Sequence, residues 1–100
     1  MNSATHDEVS CADLLKVLAD DTRLAVMQRL LDGPKHVGEI NEGLGIEQSL
    51  LSHHLKVLRD AGLVVAQRDG KAVLYELAPH VETVRSGKAL NLGCCQLSFD

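Results

Sequence analysis

The first sixty residues place apolar side chains three and four positions apart, the spacing of helices that bury one face. This pattern predicts four helices, which begin near residues 10, 21, 37 and 48. Ser10 and Asp20 are suitable N-caps for the first two helices. Gly33, Gly45 and Gly62 follow the second, third and fourth helical patterns, and glycine is favoured just past a helix C-terminus.

The pattern changes after residue 62. Two apolar, partly β-branched runs, 63–67 and 72–77, flank Asp69-Gly70, a pair that favours a type I′ turn, so we predict a two-stranded hairpin. Beyond Pro79, valines and a leucine are spaced for a last helix at about residues 80–90, and residues 91–100 are predicted to be irregular. The predicted fold is mainly α with a small β-hairpin, in the order ααααββα, as a single domain over residues 1–100.

The fourth predicted helix has two different faces. One is an aliphatic stripe of Leu51, Leu55 and Leu58. The other carries hydroxyl, imidazole and cationic groups, on Ser49, Ser52, His53, Lys56 and Arg59. Such a helix suits the DNA major groove, which accepts an α-helix and displays donors and acceptors to it. The alternative is an ordinary solvated face; the preceding helix, the tight turn and the hairpin favour a winged helix-turn-helix instead.

Charge is distributed unevenly along the chain. The net charge is −4, yet residues 1–21 alone carry five acidic side chains against Lys16. Residues 48–75 have a net charge of +2, and Arg68 and Lys71 lie on either side of the predicted hairpin turn. We therefore expect phosphate contacts from this half of the chain. The overall acidity slightly favours an alternative, a winged-helix module that binds proteins and not DNA.

Length and composition limit the remaining possibilities. The chain has 100 residues, 45% of them hydrophobic, which is enough for one modest core. Its only two aromatic residues are Tyr75 and Phe99, so the core must be aliphatic, and we expect it to be completed by dimerisation. The chain has no apolar run long enough to span a membrane, and the polar N-terminus does not resemble a signal peptide. We expect a cytoplasmic protein without membrane contact.

Several segments together resemble the ArsR/SmtB family of bacterial winged-helix repressors across about residues 10–90. They are residues 18–24 (LADDTRL), 37–40 (VGEI), 48–58 (QSLLSHHLKVL) and 61–64 (AGLV). The resemblance implies a homodimer whose first and last helices form the interface, bound to a palindromic double-stranded operator. It also implies that Gln48, Ser49, Ser52, His53 and Lys56 face DNA and that Arg68 and Lys71 touch phosphates.

The sequence departs from this family pattern at a few positions. Glu47 stands where a small capping residue is usual, and its charge should weaken DNA binding. Leu50 is bulkier than the usual residue and could alter base contact. We expect no enzyme activity, because no acidic residue is placed to orient the imidazoles of the Ser52-His53-His54 run.

The candidate effector site is formed by cysteines. Two metal-site patterns of the family do not fit, since residues 39–41 contain no thiol and the region of the last helix offers only His80 and Glu82. Cys94 and Cys95 are adjacent thiols, which favour soft, thiophilic ions. Cys11 would complete a three-sulfur site for trivalent arsenic (arsenite) or antimony (antimonite), within or between subunits.

Other roles for these cysteines stay open. Thiol oxidation or persulfide sensing is the main alternative. Zinc or cadmium is less well suited, because a tetrahedral site needs a fourth donor and only His6 or His80 is nearby in the chain. Cys11 alone would also be compatible with a small buried apolar side chain.

Overall fold

Four α-helices and six β-strands occur in the computed structural model, which describes residues 10–84 and 88–99. In chain order they are α1 (Cys11–Leu18), α2 (Asp21–Leu30), β1 (Lys35–His36), α3 (Val37–Asn41), α4 (Gln48–Asp60), β2 (Val64–Asp69), β3 (Ala72–Leu77), β4 (Glu82–Val84), β5 (Ala89–Asn91) and β6 (Gln96–Ser98). The strands form two antiparallel sheets, ordered β1-β3-β2 and β4-β5-β6. The four predicted helices and the predicted hairpin are confirmed.

Side-chain caps start the first two helices as predicted. Ser10 Oγ accepts the backbone N–H of Asp13 at 3.1 Å, and Asp20 Oδ1 accepts that of Arg23 at 3.0 Å. The hydrogen bond from the Arg23 N–H lowers the pKa of the Asp20 carboxyl, and the Arg23 charge adds to the shift. Glu47, at the N-cap of α4, makes no capping hydrogen bond with its side chain, as its length predicts.

An asparagine holds the turn between α3 and α4. The helix α3 ends at Asn41 and not at Gly45, so it is one turn shorter than predicted. The Asn41 side chain donates to the carbonyl of Ile46 at 2.8 Å and accepts the Ile46 N–H at 3.1 Å. This amide pairs with both backbone groups of Ile46 and so holds the turn after the regular helix has ended, while the Gly45 N–H still donates to the Asn41 carbonyl at 3.0 Å.

The core is aliphatic, as predicted, and joins the helices to both sheets. Its largest fully buried side chains come from the inner faces of α2, α3 and α4, from the start of the wing and from β5: Val26, Met27, Leu30, Ile40, Leu51, Leu55, Leu58, Leu63, Val64 and Leu90. Leu90 lies in the C-terminal sheet, so that sheet packs on the same core as the helices. The core thereby fixes α4 with Leu51, Leu55 and Leu58 inward and its opposite face in solvent.

The hairpin formed by β2 and β3 is the wing, and its turn lies one residue later than predicted. Asp69 pairs with Ala72, so the two central residues are Gly70 and Lys71. Gly70 has φ +66°, a left-handed conformation that both common two-residue hairpin turns require at the first central position. Lys35–His36 adds a short third strand to the wing through β3.

The C-terminal region corrects the predicted order ααααββα. Among the described residues no helix follows α4, and the predicted last helix at 80–90 is wrong: its residues contribute to β4 and β5, while 85–87 lie outside the described residues. The β-branched residues Val81, Thr83 and Val84 favour strands, and Thr83 pairs with Leu90. The predicted irregular tail is also wrong, because β5 and β6 form a second hairpin.

Candidate nucleic-acid interface and thiol cluster

The predicted DNA-contacting residues lie on the solvent side of α4 and on the wing. All eight are exposed: Gln48, Ser49, Ser52, His53, Lys56, Arg59, Arg68 and Lys71. The opposite side of α4 is buried through Leu51, His54, Leu55 and Leu58. The structure therefore brings the six predicted helix residues onto one accessible surface, which we call the polar face of α4.

Two side chains on the polar face already have acidic partners. Lys56 Nζ donates to Asp60 Oδ2 at 2.8 Å, and this hydrogen bond lowers the pKa of the Asp60 carboxyl. The Ser49 hydroxyl donates to Glu47 Oε1 at 2.8 Å. Both pairs are exposed, so they exchange readily with water. A phosphate near Lys56 would nevertheless compete with Asp60, which reduces the effective positive charge of α4.

A histidine ties the tip of the wing to α3. His36 Nε2 lies 2.9 Å from Asp69 Oδ2, and His36 Nδ1 lies 3.2 Å from Glu39 Oε1. The backbone N–H of His36 donates to the same Glu39 carboxylate at 2.8 Å, and this bond lowers the pKa of Glu39. These contacts connect the tip of the wing to the start of α3, although all three side chains are at least 39% exposed and each contact is therefore weak.

A half-buried arginine links three helices, and the sequence analysis did not single it out. Arg23 of α2 donates through Nε to the carbonyl of Val17 in α1 at 2.6 Å. Its Nη1 lies 3.1 Å from Nδ1 of His54, which is only 8% exposed in α4. A guanidinium only donates, so His54 Nδ1 accepts and its proton is on Nε2. The sequence signal was His54 itself, one helical turn from Leu51 and Leu58 on the buried stripe.

The three cysteines lie together in one chain, and we call them the thiol cluster. Cys11 is the first residue of α1, while Cys94 and Cys95 lie in the turn between β5 and β6. Their sulfur atoms all lie within 4.8 Å of one another. Cys11 and Cys94 form a disulfide, and the free Cys95 sulfur is 4.0 Å from that of Cys94.

Hydrogen bonds order the turn that holds Cys94 and Cys95. The Leu92 N–H donates to the Cys95 carbonyl at 2.9 Å, and the Gly93 N–H donates to Asn91 Oδ1 at 2.8 Å. The two cysteines are thus held in a hairpin turn and not in an irregular tail. Among the described residues, the one group of side chains that could hold a metal ion consists of these three cysteines and includes no fourth donor. His80 is exposed and outside the cluster, and His6 lies outside the described residues.

Comparison with known proteins agrees with this geometry. A family model described as "Bacterial regulatory protein, arsR family" matches residues 20–65, which include α2, α3 and α4. The structure of HlyU from Vibrio cholerae N16961 is 35% identical and superposes with a TM-score of 0.68, covering 80% of this chain and 84% of that one. The chain belongs to the arsR family of bacterial regulatory proteins. Its fold is accordingly the winged helix-turn-helix of these transcriptional regulators, and the family is not one of enzymes.

Curated members of the arsR family extend the comparison. The transcriptional regulator NmtR of Mycobacterium tuberculosis is 44% identical over 66 residues, which are 66% of this chain and 55% of that protein. The transcriptional repressor SmtB of the same organism is 39% identical over 71 residues, 71% of this chain and 53% of SmtB. The chain therefore spans about half the length of these relatives. No helix among the described residues is long and apolar enough to cross a lipid bilayer.

Proposed function

We propose that this arsR-family protein is a transcriptional repressor that binds double-stranded DNA through α4 and the wing. The support is the polar face of α4, flanked by two exposed cations of the wing, on a fold whose relatives include named repressors. Sequence would be read by Gln48, Ser49, Ser52 and His53, because the N-terminal part of a recognition helix contacts base edges. Lys56, Arg59, Arg68 and Lys71 would contact phosphates.

The proposed effector is a thiophilic ligand, trivalent arsenic or antimony, bound by the thiol cluster. The main support for this proposal is that the sulfur atoms of Cys11, Cys94 and Cys95 lie within 4.8 Å of one another, although 83 positions separate Cys11 from Cys94. Once a thiol reductant has opened the disulfide between Cys11 and Cys94, arsenous acid would exchange its three hydroxyl groups for three cysteine sulfurs and release three water molecules, whose protons come from the three thiols. Zinc and cadmium fit less well, since the described residues supply no fourth ligand.

A chain of hydrogen bonds supports coupling between the thiol cluster and DNA binding. Cys11 begins α1, and the carbonyl of Val17 near the end of α1 accepts a hydrogen bond from Arg23. Arg23 also bonds His54, whose neighbours Ser52 and His53 lie on the polar face of α4. A ligand that joins Cys11 to the β5–β6 turn would bias the position of α1, and through Arg23 that of α4. Release follows if the ligand binds the two arrangements with different affinity.

We also propose that the repressor is a homodimer on a palindromic operator. Two α4 helices related by a twofold axis would match two half-sites about one helical turn apart. The exposed Leu15 of α1 is available for such an interface, whereas the last helix expected to share it is replaced by strands. A cytoplasmic location would keep the thiols reduced and able to bind the ligand.

Thiol oxidation is a second candidate, favoured by the disulfide between Cys11 and Cys94. Peroxide or a persulfide donor would then replace arsenite as the effector. Native mass spectrometry of the reduced chain with arsenite, antimonite, cadmium, zinc and a persulfide donor separates the two candidates. One arsenic per chain with the loss of three thiol protons supports the thiophilic site. An oxidised or persulfidated species without an arsenic adduct supports the second candidate.

DNA binding is tested by a salt titration of a fluorescent duplex. A dimer that uses six to eight of these cations should show a slope of log K against log salt of about −5 to −7. Lys56→Ala should weaken binding to all sequences, while Ser52→Ala and His53→Ala should also relax sequence choice. A flat salt dependence, or wild-type binding by all three variants, would support the alternative of a module that binds proteins and not DNA.

A further inference from the structure

One leucine of α4 faces solvent while the other three are buried. Leu50 is 45% exposed, whereas Leu51, Leu55 and Leu58 are each at most 1% exposed. Among the described residues Leu15 of α1 is the other large hydrophobic side chain with comparable exposure, 44%. Single exposed leucines are common on protein surfaces, so exposure alone assigns no role to Leu50. Its position on α4 is what distinguishes it.

Leu50 lies in the first turn of α4, at the end that would contact bases. Gln48 and Ser49 precede it, and His53 lies one turn later at the i+3 position, adjacent on the helix surface. The hydroxyl of Ser49 is engaged by Glu47 at 2.8 Å. The first turn therefore combines an amide, a hydroxyl with an acidic partner, and an exposed branched aliphatic group.

The DNA major groove has one apolar feature that such a group can recognise, the C5 methyl of thymine. Polar edges of the other bases would lose water against an isobutyl group without gaining a hydrogen bond. We propose that Leu50 selects thymine at one position of each half-site by packing against this methyl group. The inference rests on the proposed DNA binding and adds a specificity-determining residue to it.

The test removes the thymine methyl group from the duplex and leaves the base pair unchanged. The reduced full-length chain first selects duplexes from a random-sequence library, and the selected duplex is then synthesised with each thymine changed singly to deoxyuridine. Deoxyuridine keeps every hydrogen-bonding group of thymine and lacks only the C5 methyl. At one position per half-site, wild-type affinity should fall about fourfold, the effect of one buried methyl group.

Two variants complete the experiment. Leu50→Ala should bind the thymine duplex with similarly reduced affinity and should not distinguish thymine from deoxyuridine. Gln28→Ala, a control at an exposed position of α2 outside the proposed DNA and dimer contacts, should keep the full wild-type discrimination. Because Leu50 is exposed, its variant should melt at the wild-type temperature, which circular dichroism checks.

The possible outcomes separate this inference from the proposed function. Equal wild-type affinity for all deoxyuridine duplexes, or wild-type discrimination retained by Leu50→Ala, would overturn the role of Leu50 and leave DNA binding intact. Failure of the wild-type chain to bind any duplex in a salt-dependent manner would overturn the proposed function and this inference with it.

Discussion

Replacing Arg23 with methionine should destabilise the fold through two lost hydrogen bonds. The guanidinium donates to the Val17 carbonyl at 2.6 Å and to His54 Nδ1 at 3.1 Å. Hydrogen bonds from a charged donor contribute about 1.5–3 kcal/mol each. Arg23 is only half-buried, so the lower end of that range applies, and Arg23→Met should reduce the free energy of unfolding by about 3 kcal/mol.

A double-mutant cycle isolates the bond between Arg23 and His54. His54→Leu removes one partner, and the double variant removes both without leaving an unsatisfied buried nitrogen. The double variant should therefore be about 1.5 kcal/mol more stable than the sum of the two single-variant losses predicts. Urea denaturation of the reduced protein measures each free energy of unfolding, because an intact disulfide would alter the denatured state.

An exposed pair provides the control cycle. Lys56 and Asp60 are both exposed, so Lys56→Met and Asp60→Asn should show much weaker coupling in the same assay. A coupling energy below about 0.5 kcal/mol between Arg23 and His54 would fall within ordinary additivity. It would mean that this bond does not form in solution and that α2 and α4 are not joined through it.

The Asp20 cap, the buried Leu51 and the disulfide each give one further prediction. Asp20→Ala should lower the free energy of unfolding by about 1 kcal/mol at neutral pH, whereas Asp21→Ala should not. Because folding lowers the pKa of Asp20, the difference between the two variants should persist above the usual carboxyl pKa and vanish as the pH falls through the lowered value. Urea titrations at several pH values check this. Leu51→Ala should lower the free energy of unfolding by about 2–5 kcal/mol, against less than about 0.5 kcal/mol for Leu50→Ala, by urea denaturation. Adding a reductant should destabilise the disulfide-bonded wild type by up to about 4 kcal/mol, because the disulfide joins residues 83 positions apart. The same reductant should not change the thermal melt of Cys11→Ser, which cannot form this disulfide.

Local signals in the sequence were sufficient to predict where the first four helices begin and which residues cap the first two. Ser10 and Asp20 each cap a helix by a hydrogen bond to the residue three positions later, and the spacing of the α4 leucines alone indicates which face is buried. The wing was predicted from its β-branched runs, but its turn was misplaced by one residue because register depends on pairing across both strands.

Interactions between distant residues could not be predicted in the same way. The segment after Pro79 has apolar spacing compatible with a helix, yet pairing of Thr83 with Leu90 and of Leu90 with Leu97 makes it a sheet. The bond between Arg23 and His54 spans 31 positions, and no local pattern specifies it. The sequence indicated Cys11 as a candidate third ligand beside Cys94 and Cys95 and left open whether it joins them; the hairpin turn between β5 and β6 explains how Cys94 and Cys95 reach α1.

We propose that ligand binding at the thiol cluster lowers the affinity of α4 for DNA. Fluorescence anisotropy of a labelled, selected duplex bound to the reduced chain, titrated with arsenite, tests it most directly. We expect release at one equivalent of arsenite per chain, whereas Cys94→Ser and Cys95→Ser should each bind DNA normally and remain bound throughout the titration. Undiminished binding of the wild type at saturating arsenite, or equal release of both variants, would contradict it.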